Sequence, residues 1–244
     1  MDEGHGGSDT RMATQRVGID HWHRVLVFAA HPDDEILGCG GTIARLTADG
    51  REVYVVTFCV GETSYTSPEM KHSMGEVRVA EAQACDQVLG ITERVILGKP
   101  TQGVVNDRET YQECVRLIRK YRPDVILTHW NEDKHRDHRA ISALTDEARW
   151  KAYENVLADF GEPWYTPELY YYEVMELFPH PSLMVDISDF LPKKLEAMQT
   201  QQSQFAVLPG VMEYIEGLAK ARGYARGTRY AEAFLRSNLL PTFA

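Results

Sequence analysis

Four short, unbroken apolar runs, each separated from the next by an amphipathic stretch, constrain the fold more than any other feature of this chain. They are RVLVFAA at 24–30, EVYVVTF at 52–58, RVILG at 94–98 and DVILTHW at 124–130. A strand buried on both faces reads as such a continuous run, which points to a parallel sheet covered by helices. The intervening stretches have helical character. DDEILGCGGTIARLTADG (33–50) closes at Gly50. GEVRVAEAQACDQVLG (75–90) ends at Gly90 and places Val77, Ala80, Ala84 and Val88 on one stripe. DRETYQECVRLIRKYR (107–122) offers Tyr111, Val115 and Ile118 as an apolar face, and Pro123 stops it. Strands alternating with helices imply right-handed crossovers and a Rossmann-like, doubly wound, mostly parallel α/β sheet through about residue 150.

Beyond residue 150, ELYYYEVM and SLMVDI read as strands, and LPKKLEAMQTQQSQF and MEYIEGLAKARGYA as helices. No linker composition separates them from the core. The expectation is a single domain over 24–244, with a core at about 24–150 and a C-terminal α/β extension at about 151–244. Residues 1–23 are polar and Gly-rich and read as a flexible N-terminal tail. Its His21-Trp22-His23 triplet reads as solvated decoration rather than a metal site.

Composition excludes some functions. With 26 Lys+Arg against 36 Asp+Glu, the net charge of −10 disfavours nucleic acid as a partner. No apolar run reaches the ~20 residues needed to span a bilayer, and the N-terminus lacks the apolar core of a secretory signal. Cys39, Cys59, Cys85 and Cys114 show no CxxC pairing and read as buried, reduced thiols. A cytoplasmic protein without a membrane partner is expected.

Two polar clusters carry the chemistry. His31-Pro32-Asp33-Asp34-Glu35 follows the first strand, and His135-Arg136-Asp137-His138 lies in the loop after the fourth. In a doubly wound sheet those strands are neighbours where the strand order reverses, and ligands bind beyond their carboxyl ends. A catalytic zinc takes three His or carboxylate ligands and keeps a position open for water. His31, Asp34 and His138 supply such a set, leaving Asp33 beside it as a general base. Helix N-capping by Asp is the plainer account of Asp33 or Asp34, but it leaves the flanking histidines unexplained. His129, near a strand end, suits a supporting role better than ligation. Tyr170, Tyr171 and Tyr172 alternate along a strand, so at least one is expected to face away from the core. The Gly38-x-Gly40-Gly41 run lacks the spacing of a dinucleotide fingerprint and is better explained by helix packing.

At these residues the chain resembles the PIG-L/LmbE-like deacetylases. Their AHPDDE signature stands unchanged at Ala30–Glu35, and their HPDH signature stands as His135-Arg136-Asp137-His138. The GGTIARL helix from Gly40, Arg78-x-x-Glu81, and Gly227-x-x-Tyr230-Ala231-Glu232-Ala233-Phe234 extend the likeness. The resemblance implies zinc, or another divalent ion such as Fe2+, on His31, Asp34 and His138, with Asp33 as general base. It also implies that His135 stabilises the oxyanion or protonates the leaving amine, oriented by Asp137, and that Arg78 lies near a sugar-binding mouth. A solvated helix arginine is the alternative for Arg78. Arg136 replaces the usual proline and faces either an anionic substrate group or solvent.

The expected reaction is removal of an N-acetyl group from a GlcNAc-type aminosugar by metal-activated water. The alternatives are a zinc amidase acting on a non-sugar N-acyl substrate and a catalytically silent Rossmann-like binding module. Family likeness also implies a homo-oligomer, a hexamer. Loops 61–73, 99–107 and 174–182 are expected to set specificity.

Overall fold

The computed structural model describes residues 18–239. Thirteen main elements follow one another along the chain: β1 (Arg24–Ala29), α1 (Asp34–Ala48), β2 (Glu52–Cys59), α2 (Met74–Leu89), β3 (Glu93–Lys99), α3 (Arg108–Tyr121), β4 (Val125–His129), α4 (Arg136–Tyr153), β5 (Glu168–Tyr172), β6 (Leu183–Asp186), α5 (Leu191–Gln199), α6 (Val211–Arg226) and β7 (Ala231–Arg236). The strands form one sheet in the order β3-β2-β1-β4-β5-β7-β6. The first five in that order run parallel, with β1 between β2 and β4. β7 pairs antiparallel with both β5 and β6. The doubly wound α/β arrangement is therefore present, and its strand order reverses between β1 and β4.

The apolar runs are buried on both faces, as their continuity requires. Val25, Val27 and Ala29 of β1 join a core packed with α1, α5 and α6. Leu26, Phe28 and Ala30 join a second core with α3 and α4. The tyrosines of β5 alternate in the same way, Tyr170 and Tyr172 into the first core and Tyr171 into the second. None of the three faces solvent: their exposures are 9%, 7% and 1%. The expectation that one would face away from the core fails because helices cover both faces of β5.

Several boundaries differ from expectation. Ile19 and Trp22, inside the stretch read as tail, are buried. The Trp22 indole N–H donates to Glu168 Oε2 at 2.7 Å, and its ring packs on Tyr170. His21 Nε2 lies 3.0 Å from the same carboxylate. Residues 1–17 lie outside the described residues. The buried face of α2 is Met74, Arg78, Ala82, Cys85 and Leu89 rather than the Val77/Ala80/Ala84/Val88 stripe. That face centres on a charged residue, so hydrophobicity alone misplaces it. Strand β7 was not anticipated. All four cysteines are buried and free. No helix among the described residues is long and apolar enough to cross a membrane.

α1 is broken in the middle. Cys39 leaves helical geometry (φ −145°, ψ 19°), and the glycines around it allow close packing. A Cβ on Gly38 would enter the Tyr172 ring, and one on Gly41 would strike Ile187. The glycine run thus serves packing, as the sequence spacing suggests. At the break, Glu232 of β7 accepts the amides of Gly41 and Thr42 at 2.8 and 2.7 Å. Lys194 of α5 donates to the Leu37 carbonyl at 2.8 Å and pairs with Glu232 at 2.7 Å.

Candidate active site

The site is built where β1 and β4 end side by side. His129 closes β4, and its Nε2 accepts the Ala30 amide at 2.9 Å, tying the two strand ends together. Tyr172, at the end of β5, donates its hydroxyl to the Phe28 carbonyl at 2.7 Å and lies 3.2 Å from the same imidazole. His31 then leaves β1, and α1 begins at Asp34.

Asp33 is held at φ 150°, a conformation that costs a non-glycine residue about 1–3 kcal/mol. Its carboxylate caps nothing. It pairs instead with Arg78, at 3.2 Å from Nη2 and 3.3 Å from Nη1. Arg78 also donates to the Pro32 carbonyl and is 1% exposed, so it is not a solvated helix arginine. Burial raises Asp33 to about 6, against the lowering pull of Arg78.

Asp34 is the hub. Its Oδ2 accepts the His31 amide at 2.8 Å and lies 3.2 Å from His31 Nδ1. It stands 3.4 Å from His129 Nε2 and 3.4 Å from His138 Nε2. Burial acts against its charge, yet the three imidazoles hold its carboxyl well below the usual range. Burial likewise opposes charge on His31 and His138. The neighbouring carboxylates outweigh it and hold them at about 10 and about 9.

The second cluster begins in a loop and ends in a helix. His135 is the N-cap residue of α4, and its Nδ1 accepts the Asp137 amide at 3.2 Å. Asp137 and His138 sit in the first turn, a correction to the loop placement expected for them. The Asp137 carboxylate does not orient His135. It lies 3.2 Å from His31 Nε2 and accepts the amides of Gln102 and Val104 at 2.7 and 3.2 Å. The helix start turns it toward the 102–104 loop, away from His135. Burial, with His138 and His31 nearby, lowers the pKa of His135. A His135 held protonated by Asp137 is therefore not what forms.

Asp133 went unread in the sequence. Its carboxylate accepts the amides of His135 and Met175 at 2.8 and 3.2 Å. It also stands 3.2 Å from His138 Nδ1, but off the hydrogen-bond direction, so that nitrogen is buried and unpaired. A carboxylate behind the outer nitrogen is the arrangement that commonly orients a metal-binding histidine.

The donor set fits a divalent cation. Ligand atoms of His31, His135 and His138 lie within 4.8 Å of one another, as do those of Asp34, His129 and His138 and those of His31, Cys59 and Asp137. His31, Asp34 and His138 do not form such a close trio themselves; they meet pairwise through Asp34. Since the Nε2 lone pair of His129 is taken by the Ala30 amide, its supporting role suits it better than ligation.

These groups line a cavity of about 220 Å³. His31, Asp33, Asp34, His135 and His138 form its floor and Arg78 one wall. Asp137 is not among its lining residues. The three loops expected to set specificity contribute Thr63, Ser64, Thr101, Gln102, Val174 and Met175. Leu37, Gln204, Val207 and Leu208 complete it; Gln204 falls at the end of a stretch read as helix, and Val207 and Leu208 lie just beyond it.

Fold and site together define an α/β protein with a His/Asp metal-binding cluster beyond the ends of neighbouring parallel strands. The chain belongs to the PIG-L family: the family pattern described as GlcNAc-PI de-N-acetylase matches residues 26–149. It is 32% identical to the diacetylchitobiose deacetylase of Thermococcus kodakarensis, over 86% of this chain and 81% of that one. The N,N′-diacetylchitobiose deacetylase of Pyrococcus horikoshii, solved with an inhibitor, superposes with a TM-score of 0.81 at 25% identity, covering 91% of this chain and 86% of that one. GalB of Pseudomonas putida, a 4-carboxy-2-hydroxymuconate hydratase, gives the same TM-score at 23% identity, covering 91% and 98%. That likeness concerns the fold alone, so the reaction has to be argued from the site.

Proposed function

We propose that this protein hydrolyses the N-acetyl group of an aminosugar substrate of the GlcNAc type, with a divalent metal, zinc in the first place and iron(II) as an alternative, held by His31, Asp34 and His138. The carrying observation is a carboxylate shared among imidazoles, Asp34, beside a second carboxylate, Asp33, that opens on the same cavity. The kinship with diacetylchitobiose deacetylases supports the substrate class.

Bound at these residues, the metal supplies Lewis-acid activation of water and of the acetyl carbonyl. The protein's own groups do the rest. Asp33, fixed by Arg78, accepts the water proton. Because Nδ1 of His135 accepts the Asp137 amide, a neutral His135 carries its proton on Nε2, free to hydrogen-bond to the oxyanion, while the proton Asp33 took from water passes to the departing nitrogen. Asp137 holds the outer nitrogen of His31, and Asp133 places its charge 3.2 Å from Nδ1 of His138, where it favours the orientation that turns Nε2 to Asp34. Residues 24–244 act as one unit in this reading, since Lys194 and Glu232 of the C-terminal extension hold the helix that carries Asp34.

The test is acetate release from GlcNAc and N,N′-diacetylchitobiose by purified protein, chelator-stripped and zinc-restored. Metal-dependent release is expected. Release from simple acetamides but from neither sugar would transfer the reading to a non-sugar amidase. No release together with no bound metal would overturn it.

A further inference from the structure

The reaction cavity has two unlike kinds of lining residue. Thr63, Ser64 and Gln102 bring hydroxyl and amide groups to it, suited to sugar hydroxyls, beside Thr101, whose own hydroxyl donates to Glu62. Leu37, Val174, Met175, Val207 and Leu208 are apolar. Those same apolar residues also bound a second cavity of about 370 Å³, which continues past them to Pro209, Val211 and Tyr214. The two cavities are therefore one groove with a polar reaction end and an apolar outer end.

The outer end leaves large apolar side chains in water. Met175, Val207 and Tyr214 are 41%, 40% and 39% exposed. Apolar surface gathered at the mouth of a site marks a binding face more often than chance exposure. Tyr214 donates its hydroxyl to the Val174 carbonyl at 3.0 Å, so its polar tip is engaged and its ring remains for contact. Lys134 is the one charged residue among the lining, and its Nζ lies 3.6 Å from Glu176. A second sugar ring would meet few donors or acceptors there, and an anionic group would meet a cation already paired.

We propose that this outer groove binds an aromatic or alkyl group attached to the anomeric carbon, so that the preferred substrate is an acetamido sugar with an apolar aglycone. The proposal rests on the aminosugar reading above and names the part of the substrate that lies beyond the sugar.

The test compares kcat/KM for acetate release from the methyl, phenyl and n-octyl glycosides of N-acetylglucosamine, in both anomeric forms, and from N,N′-diacetylchitobiose. The metal-loaded wild type is set beside Pro209→Asp and Tyr214→Ser, two partly exposed positions outside the reaction cavity. The phenyl glycoside should exceed the methyl glycoside by roughly ten- to a hundredfold, the size expected for burying one aromatic ring. The gain should appear mainly in KM and exceed any gain from a second sugar. Both variants should erase the phenyl advantage while methyl glycoside turnover stays near wild type. Equal kcat/KM for phenyl and methyl glycosides, or variants that slow both alike, would overturn the groove and leave the deacetylase reading standing. Failure of every glycoside, the methyl included, would overturn the deacetylase reading and the groove proposal with it.

Discussion

Buried charge meets interrupted helix at two places in α1, its start and its middle. At the middle, the break at Cys39 frees the Leu37 carbonyl and the amides of Gly41 and Thr42. Lys194 takes the carbonyl, Glu232 takes both amides, and the two charges pair with each other. Only the Thr42 hydroxyl is left without a partner there. At the start, demand and supply do not match. Asp34 serves three imidazoles at once, the outer nitrogens of His129 and His138 are buried and unpaired, and Asp33 is held in a strained conformation. A closed arrangement of charge reads as structure. An open, convergent and strained one reads as a functional site.

That contrast can be broken by four measurements, the largest effect first. Asp34→Asn should abolish acetate release, beyond the roughly 10⁴-fold that one acid–base residue accounts for, and metal content should fall with it. Retained stoichiometric metal would remove Asp34 from the ligand set. Asp33→Asn should lower turnover by about 10²–10⁴-fold while the metal stays bound. Activity within a few-fold of wild type would exclude it as the base.

In the middle of the helix the pattern should invert. Glu232→Ala leaves Lys194 charged and buried, so denaturant unfolding should show a loss of about 3–5 kcal/mol, with activity per folded molecule largely kept. If that variant instead folds normally but is inactive, the division between the two regions is wrong. The smallest effect belongs to Asp133→Asn. Metal affinity, read by competition with a chelator, should weaken about 10–100-fold with little change in stability.

Much of this was legible in the sequence, and the failures have physical causes. The strands β1 to β4 are continuous apolar runs, and a doubly wound sheet puts the first and fourth side by side where the order reverses, so the meeting of His31 with His138 could be read in advance. The buried face of α2 could not, because Arg78 counts as polar on any hydropathy scale while its charge is answered by Asp33, 45 residues away. Asp133 carried no motif signal; its place two residues ahead of His135 gains meaning only once the turn between β4 and α4 brings its carboxylate to the amides of His135 and Met175. The family resemblance pairs Asp137 with His135, whereas the helix start directs its side chain to the amides of another loop. β7 carries Glu232 as its second residue, a buried charge that interrupts an otherwise apolar pattern and has its partners at the far-off helix break.

The contact between Glu232 and Gly41 joins residues 191 positions apart, and this fixes an order of events during synthesis. The ribosome delivers the helix that carries Asp34 early and the carboxylate that completes it near the end. At ordinary elongation rates the interval is roughly 10–40 s. Throughout that interval the glycine-rich break carries amides whose carboxylate has not yet been made, and Lys194 arrives before its partner Glu232. A chain ended before Ala231 would keep α1 packed in its core but leave the amides of Gly41 and Thr42 without the carboxylate that accepts them.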